Sequence, residues 1–134
     1  MARKKLPITI QNELFKKYKN EIEFRFTNES APYCHVPEKI IYLCLDKYFN
    51  PTVNSVFDMM HEIGHIKTNL PGMKRCEEEY HATVWAIKEA KKYKLEIPQK
   101  RKDVYQNYIW YWRERGIKSR AKVIPSKEDL ILNW

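Results

Sequence analysis

Apolar residues Val56, Met59, Met60, Ile63, Ile66 and Leu70 recur at helical spacing, so the pattern predicts a helix from about Ser55 to Thr68. Asn50-Pro51 breaks the chain before it, and Thr52 or Asn54 suits the N-cap. Asp58, His61, His65 and Thr68 fall on a second stripe of that helix, away from the apolar one. Upstream, Ile10, Leu14, Phe15 and Tyr18 share one face of a short helix that Thr9 would cap and that runs to about Lys19. Residues 21–27 alternate strictly and read as a strand with one buried face. The apolar run Ile40 to Leu45 reads as a second strand, and the Asn28 to Pro37 stretch between them as turns. Downstream, Leu70-Pro71-Gly72 is a turn, and a long helix covers about Arg75 to Leu95. Another helix starts at Pro98 and ends near Gly116, a suitable C′ residue, and Ser126-Lys127-Glu128-Asp129 resembles a capping box for a short last turn. One helix, two strands and then helices make an α+β chain with a small antiparallel or mixed sheet beside a helical layer.

Composition narrows this only slightly. The 134 residues suit a single domain over 1–134, with 1–7 flexible and 117–134 a basic C-terminal extension. Hydrophobic residues at 43% support a folded core rather than a disordered chain. No stretch approaches the roughly 20 apolar residues of a membrane span. Three glycines and no GxGxxG or GxxxxGK argue against a glycine-rich nucleotide loop. The basic start is not followed by an apolar signal segment, and Cys34, Cys44 and Cys76 lack CxxC spacing, so free thiols and a cytoplasmic location are expected. A net charge of +8 favours acidic partners without establishing nucleic-acid binding. The basic run Arg113, Arg115, Lys118, Arg120 and Lys122 reads as a solvated face.

The chemistry is concentrated in His61-Glu62-Ile63-Gly64-His65, an HExxH motif. Residues i and i+4 lie on one helical face, so both imidazoles can reach one ion. Glu62 sits about 100° round the helix from His61, beside the ion and free to act as a general base. Gly64 costs about 1 kcal/mol of helix propensity relative to alanine, which points to a close approach of backbone or substrate. Zinc with one open position needs a third protein ligand, and Glu77-Glu78-Glu79 follows a turn later. Glu79 heads the stripe Ala82, Ala86, Ala90 and Tyr93, suited to close packing on a neighbouring helix, whereas Glu78 shares a mixed face with His81, Trp85 and Lys88. Thr83, one turn beyond Glu79, could hold a ligand through a hydrogen bond. Cys34 and His35 lack ligand spacing and read as structural. Tyr105, Ile109 and Trp112, together with Val104, Tyr108 and Tyr111, form a wide apolar face that reads as core, leaving Trp110 as the exposed ring. Tyr80, His81 and the later tyrosines are open candidates for stabilising an oxyanion.

The HExGH sequence followed by Glu79-Tyr80-His81-Ala82-Thr83-Val84-Trp85-Ala86 resembles the ImmA/IrrE metallopeptidases, whose pattern is HELGH and then E-x-E-A-N/D-x-F-A. The resemblance covers about residues 40–95, with His81 in place of the second glutamate and Thr83 in place of Asn or Asp. The tail, with its Trp-Arg-Glu stretch and Pro-Ser-Lys-Glu, is similar to that of the small phage-encoded members. The resemblance implies a zincin-like fold, a zinc ion on His61, His65 and Glu79, and cleavage of a protein substrate such as a repressor of a mobile element. Glu62 would then be the base, and an extended substrate would pair with the Ile40–Leu45 strand if that strand is a sheet edge. A DNA-associated protease similar to the SprT group is an alternative, as is a non-catalytic binding module on the same fold. No membrane partner is expected.

Overall fold

The fold is that of a computed structural model describing residues 5–118 and 123–134. Among these residues the order is α1 (Pro7–Tyr18), β1 (Glu23–Thr27), β2 (Tyr33–His35), β3 (Ile40–Cys44), α2 (Leu45–Phe49), α3 (Val53–Thr68), α4 (Arg75–Lys92), α5 (Gln99–Lys118) and a 3-10 turn at Glu128–Leu130. The chain is therefore α+β, with a small mixed sheet beside a helical layer. Residues 1–4 of the expected flexible end, and Arg120 and Lys122 of the basic run, lie outside the described residues. None of the described helices is long and apolar enough to cross a membrane.

Pro7, rather than Thr9, opens α1, because its fixed φ suits the first helical position where no N–H is needed. Ile10, Leu14 and Tyr18 are buried and Phe15 partly so. The face of β1 is graded: Ile22 just before it is buried, Phe24 is half-buried, and Phe26 is 43% exposed in a cluster with Phe15 and Tyr48.

β3 is the central strand. β1 pairs with it in parallel, Phe24 opposite Ile41, and β2 antiparallel, Cys34 opposite Ile41. Both edges of the Ile40–Cys44 strand are thus occupied, so it cannot accept an added strand. The two edge strands are β1 and β2, and β2 falls inside the stretch expected to be turns. Three residues are too few to show a period of two.

Thr52 caps α3 through the Ser55 amide while the Ser55 hydroxyl accepts from the Thr52 amide. Val56, Met59, Met60 and Ile63 are at most 1% exposed, and Leu70, past the helix end, is 65% exposed. The reason for Gly64 lies across the helix interface. A Cβ there would stand 2.4 Å from the Ala82 carbonyl oxygen of α4. The predicted alanine stripe is the partner surface: Glu79, Ala82, Ala86 and Ala90 are all at most 3% exposed. α4 stops at Lys92 rather than Leu95; Lys94 turns left-handed at φ 56° and the Leu95 amide bonds back to the Ala90 carbonyl at 2.9 Å.

α5 continues through Gly116, which is therefore inside the helix and not its C′ residue. A Cβ at Gly116 would come within 2.9 Å of Ile124, so the glycine makes room for the returning C-terminal segment. That segment joins the core. Leu130 and Leu132 are buried, held by Gln106 through the Leu130 carbonyl and the Leu132 amide, and Trp134 packs on Phe57. Only one of the two predicted stripes of α5 is covered: Tyr105 and Ile109 are buried, while Val104, Tyr108 and Tyr111 are 40–50% exposed. Trp110, expected outside, is half-buried with the Lys127 ammonium 5.1 Å from its ring.

Candidate metal centre

A cavity of about 440 Å³ opens where β2, α3, α4 and α5 meet. Helix α3 lines it with Asp58, His61 and His65 of the second stripe and with Glu62 beside them, α4 adds Arg75 and Glu79, and α5 adds Arg101 and Tyr105. The α3–α4 approach at Gly64 and Ala82 sets the distance across which the imidazoles face Glu79. His61 Nε2 lies 3.0 Å and His65 Nε2 3.2 Å from the same oxygen, Glu79 Oε2. Donor atoms of the three residues all lie within 4.8 Å of one another. Donors bound tetrahedrally at ~2.0–2.2 Å from one ion stand about 3.3 Å apart. The two imidazole–carboxylate distances are close to that spacing.

Two details fit an ion better than a closed hydrogen-bond network. His61 is 7% exposed and its Nε2 has no aligned hydrogen-bond partner despite the nearby carboxylate. Glu79 is 2% exposed, and such a carboxylate requires neutralising partners. Its other oxygen takes Arg75 Nη2 at 3.2 Å.

The electrostatics of the metal-free cluster follow. Burial alone would raise the Glu79 carboxyl, but the His61 and His65 imidazoles outweigh it and hold it well below the usual carboxylate range. Burial alone would lower His61, yet Glu62 and Glu79 lift it to about 9. A proton on His61 therefore offsets part of the negative charge of Glu62 and Glu79.

Glu62 points into the same cavity, its Oε1 3.5 Å from His61 Nδ1, and does not join the three convergent donors. Asp58, one turn before His61, accepts hydrogen bonds from Tyr105 Oη and Arg101 Nη2. The Tyr105 ring stands edge-on to His61 with centroids 5.0 Å apart. Asp58 therefore holds Tyr105, whose ring packs against His61. Burial, and then the Asp58 charge, pushes the Tyr105 hydroxyl well above its ordinary value, so it stays protonated and donating.

Several expectations change here. Thr83 donates to the Glu79 backbone carbonyl at 2.7 Å, one turn back in the same helix, and does not hold the carboxylate. His81 is exposed beside Tyr80 and lies outside the cavity lining. Cys34 does line the cavity; burial and the Glu62 charge push its thiol up, so it is a neutral neighbour of Glu62. Glu77 bonds the Lys74 amide as a cap, and Glu78 reaches Arg75 at 3.5 Å on the cavity rim. Arg75 and Arg101 carry no mark in the sequence beyond their residue types, whereas Tyr105 falls on the apolar stripe expected to be core. Asp58 carries one, by sharing the histidine stripe.

The fold and cluster together define an α+β protein with a buried His–His–carboxylate site open to a cavity. No family model, curated protein or solved structure matches the chain.

Proposed function

We propose that the protein is a zinc-dependent endopeptidase of the zincin type, with zinc held by His61, His65 and Glu79 and with Glu62 as general base. The observation that carries this reading is the convergence of both imidazole Nε2 atoms on Glu79 Oε2, with the Glu62 carboxylate facing the same cavity. The motif resemblance to the ImmA/IrrE metallopeptidases supports the same ligand set and a regulatory protein, such as a mobile-element repressor, as substrate. A zinc ion on these ligands supplies Lewis acidity for a water and a scissile carbonyl. Glu62 takes the proton of the attacking water as the new C–O bond forms. It returns that proton to the leaving amine as the C–N bond breaks, so the base is regenerated. Tyr105 donates to Asp58 in the same cavity wall, and Arg75 pairs with the other oxygen of Glu79. The free edge of β2, whose Tyr33 and Cys34 line the cavity, offers backbone groups to an extended peptide.

The test pairs elemental analysis with proteolysis. Purified protein should carry about one zinc per chain and cleave a repressor encoded beside its gene, read by intact mass. Glu62→Gln should retain zinc and fold and lose cleavage. Equal cleavage by the variant would remove Glu62 from the mechanism; absence of zinc from a folded protein would remove the metal.

A further inference from the structure

An apolar surface of α5 leads out of the metal cavity. Val104, Tyr108 and Tyr111 are 40–50% exposed. With Arg115 they are spaced four, three and four residues apart, so they form one stripe of the helix. Val104 and Tyr108 also line the metal cavity, so the stripe begins there and continues along the surface. Apolar residues scattered singly over a surface are ordinary, whereas a contiguous patch marks a contact site.

The stripe is ordered and ends in positive charge. The Tyr108 and Tyr111 rings are stacked, 10° from parallel with centroids 6.4 Å apart. The Arg115 guanidinium lies 5.6 Å from the Tyr111 ring centroid, and its Nη1 donates to the Tyr111 hydroxyl at 3.2 Å. Among the described residues the partners of Arg115 are aromatic rings and that hydroxyl, not a carboxylate. Lys118, next on the stripe, adds a second exposed cation. Aromatic and arginine side chains carry most of the energy at contact surfaces, and a cation without a carboxylate complements an acidic group. A polypeptide lying across the metal cavity meets Val104 and Tyr108 as it leaves. From Val104 to Arg115 the helix rises about 16 Å, which an extended peptide covers in about five residues. A second copy of this chain would bring a net charge of +8 to the same cations and is the poorer occupant.

We propose that the stripe of Val104, Tyr108, Tyr111 and Arg115 is a substrate-docking face. It selects a polypeptide segment with an aromatic or large aliphatic side chain near the cleaved bond and an acidic residue about four positions away. The apolar side chain packs on Val104 and Tyr108, the segment passes over Tyr111, and the carboxylate pairs with Arg115. The role of the segment as substrate rests on the peptidase reading; its binding does not.

The test uses the full chain, zinc-loaded, and fluorescein-labelled ten-residue peptides of alanine, serine and glycine that carry one phenylalanine and one glutamate four residues apart, in both orders. Affinity is read by anisotropy and cleavage by mass on the same samples. In the better order, alanine for phenylalanine should weaken binding at least about tenfold. Glutamine for glutamate should weaken it about threefold, and lysine more. Tyr111→Ser should cost about fivefold or more, with zinc content retained. Arg115→Glu should reverse the order, so that the lysine peptide binds better than the glutamate peptide, a swap that loss of fold cannot produce. Equal affinity for the phenylalanine and alanine peptides, or an Arg115→Glu protein that still prefers glutamate, would overturn the proposal. So would a dimer, seen by sedimentation and lost in Tyr111→Ser, or an oligonucleotide that both variants release while their peptide binding stands. A protein that cleaves peptides without this preference loses the docking face and keeps the peptidase. One that binds with the preference and cleaves nothing keeps the docking face and loses the peptidase.

Discussion

Helix α4 carries two buried glutamates ten residues apart, Glu79 and Glu89, each 2% exposed. Their surroundings differ. Glu89 accepts from Tyr18 Oη at 3.1 Å and Lys92 Nζ at 3.1 Å, with Lys17 Nζ at 3.5 Å. All three partners bring their own protons, and the lysines remain largely in water at 46% and 66% exposure. Glu89 is a closed ionic network that ties α4 to α1. Glu79 has Arg75 on one oxygen, but its other oxygen meets two imidazoles, which at neutral charge offer lone pairs as readily as protons, beside an open cavity. Burial is equal in the two, so burial does not mark a site. The protonation freedom of the partners does.

Substitutions at the two glutamates should separate these roles. Glu79→Ala is expected to lower zinc affinity at least ~100-fold, measured by competition with a chromogenic chelator, whereas Glu89→Gln leaves it unchanged. Comparable loss in both would erase the distinction. Glu62→Gln should lower the cleavage rate by ~10²-fold or more at undiminished zinc content, placing the base apart from the ligands.

Gly64→Ala tests the helix contact that holds Glu79 opposite the histidines. The added methyl meets backbone and not a flexible side chain. Overpacking should cost about 1–3 kcal/mol in urea unfolding, after offsetting the ~1 kcal/mol gain in helix propensity. Unchanged or raised stability would show that α3 and α4 can separate freely. Glu89→Gln should cost a smaller ~1–2 kcal/mol, because Tyr18 can still donate to the amide and the exposed lysines return to water.

The smallest effect is on pH. His61 is raised to about 9 in the metal-free protein, so its favourable pairing is complete below its ordinary value of 6.5 and lost as pH rises through about 9. Zinc must displace that proton at neutral pH, while Glu79, depressed and already ionised, contributes none. Zinc affinity should climb about tenfold per pH unit from 7 to about 9 and then level, with one proton released per zinc at pH 7 by calorimetry in two buffers. A flat profile would mean that His61 is neutral before metal arrives.

Much of the site was legible in the residues. An i, i+4 histidine pair must share a helical face, and the alanine period after Glu79 marked the side that another helix would cover. The one-residue offset of Glu62 was equally visible. Other parts were not. The short β2 was hidden because three residues carry no period, and β3 looked available as an edge because strand order is invisible in a linear pattern. The two aromatic stripes of α5 are equal in composition, and only the neighbours that cover Tyr105 and Ile109 distinguish them from Tyr108 and Tyr111.

The sequence by itself determined local geometry: helix faces, caps, the spacing of the two imidazoles, and the glycine that a close helix contact requires. These follow from the fixed rise and turn of the backbone and need no partner. The tertiary structure alone decided that Arg75 takes the second oxygen of Glu79, that Tyr105 packs on His61 while bonded to Asp58, and that β2 borders the cavity. The last two depend on through-space distances between elements far apart in the chain, which packing sets and no local period records.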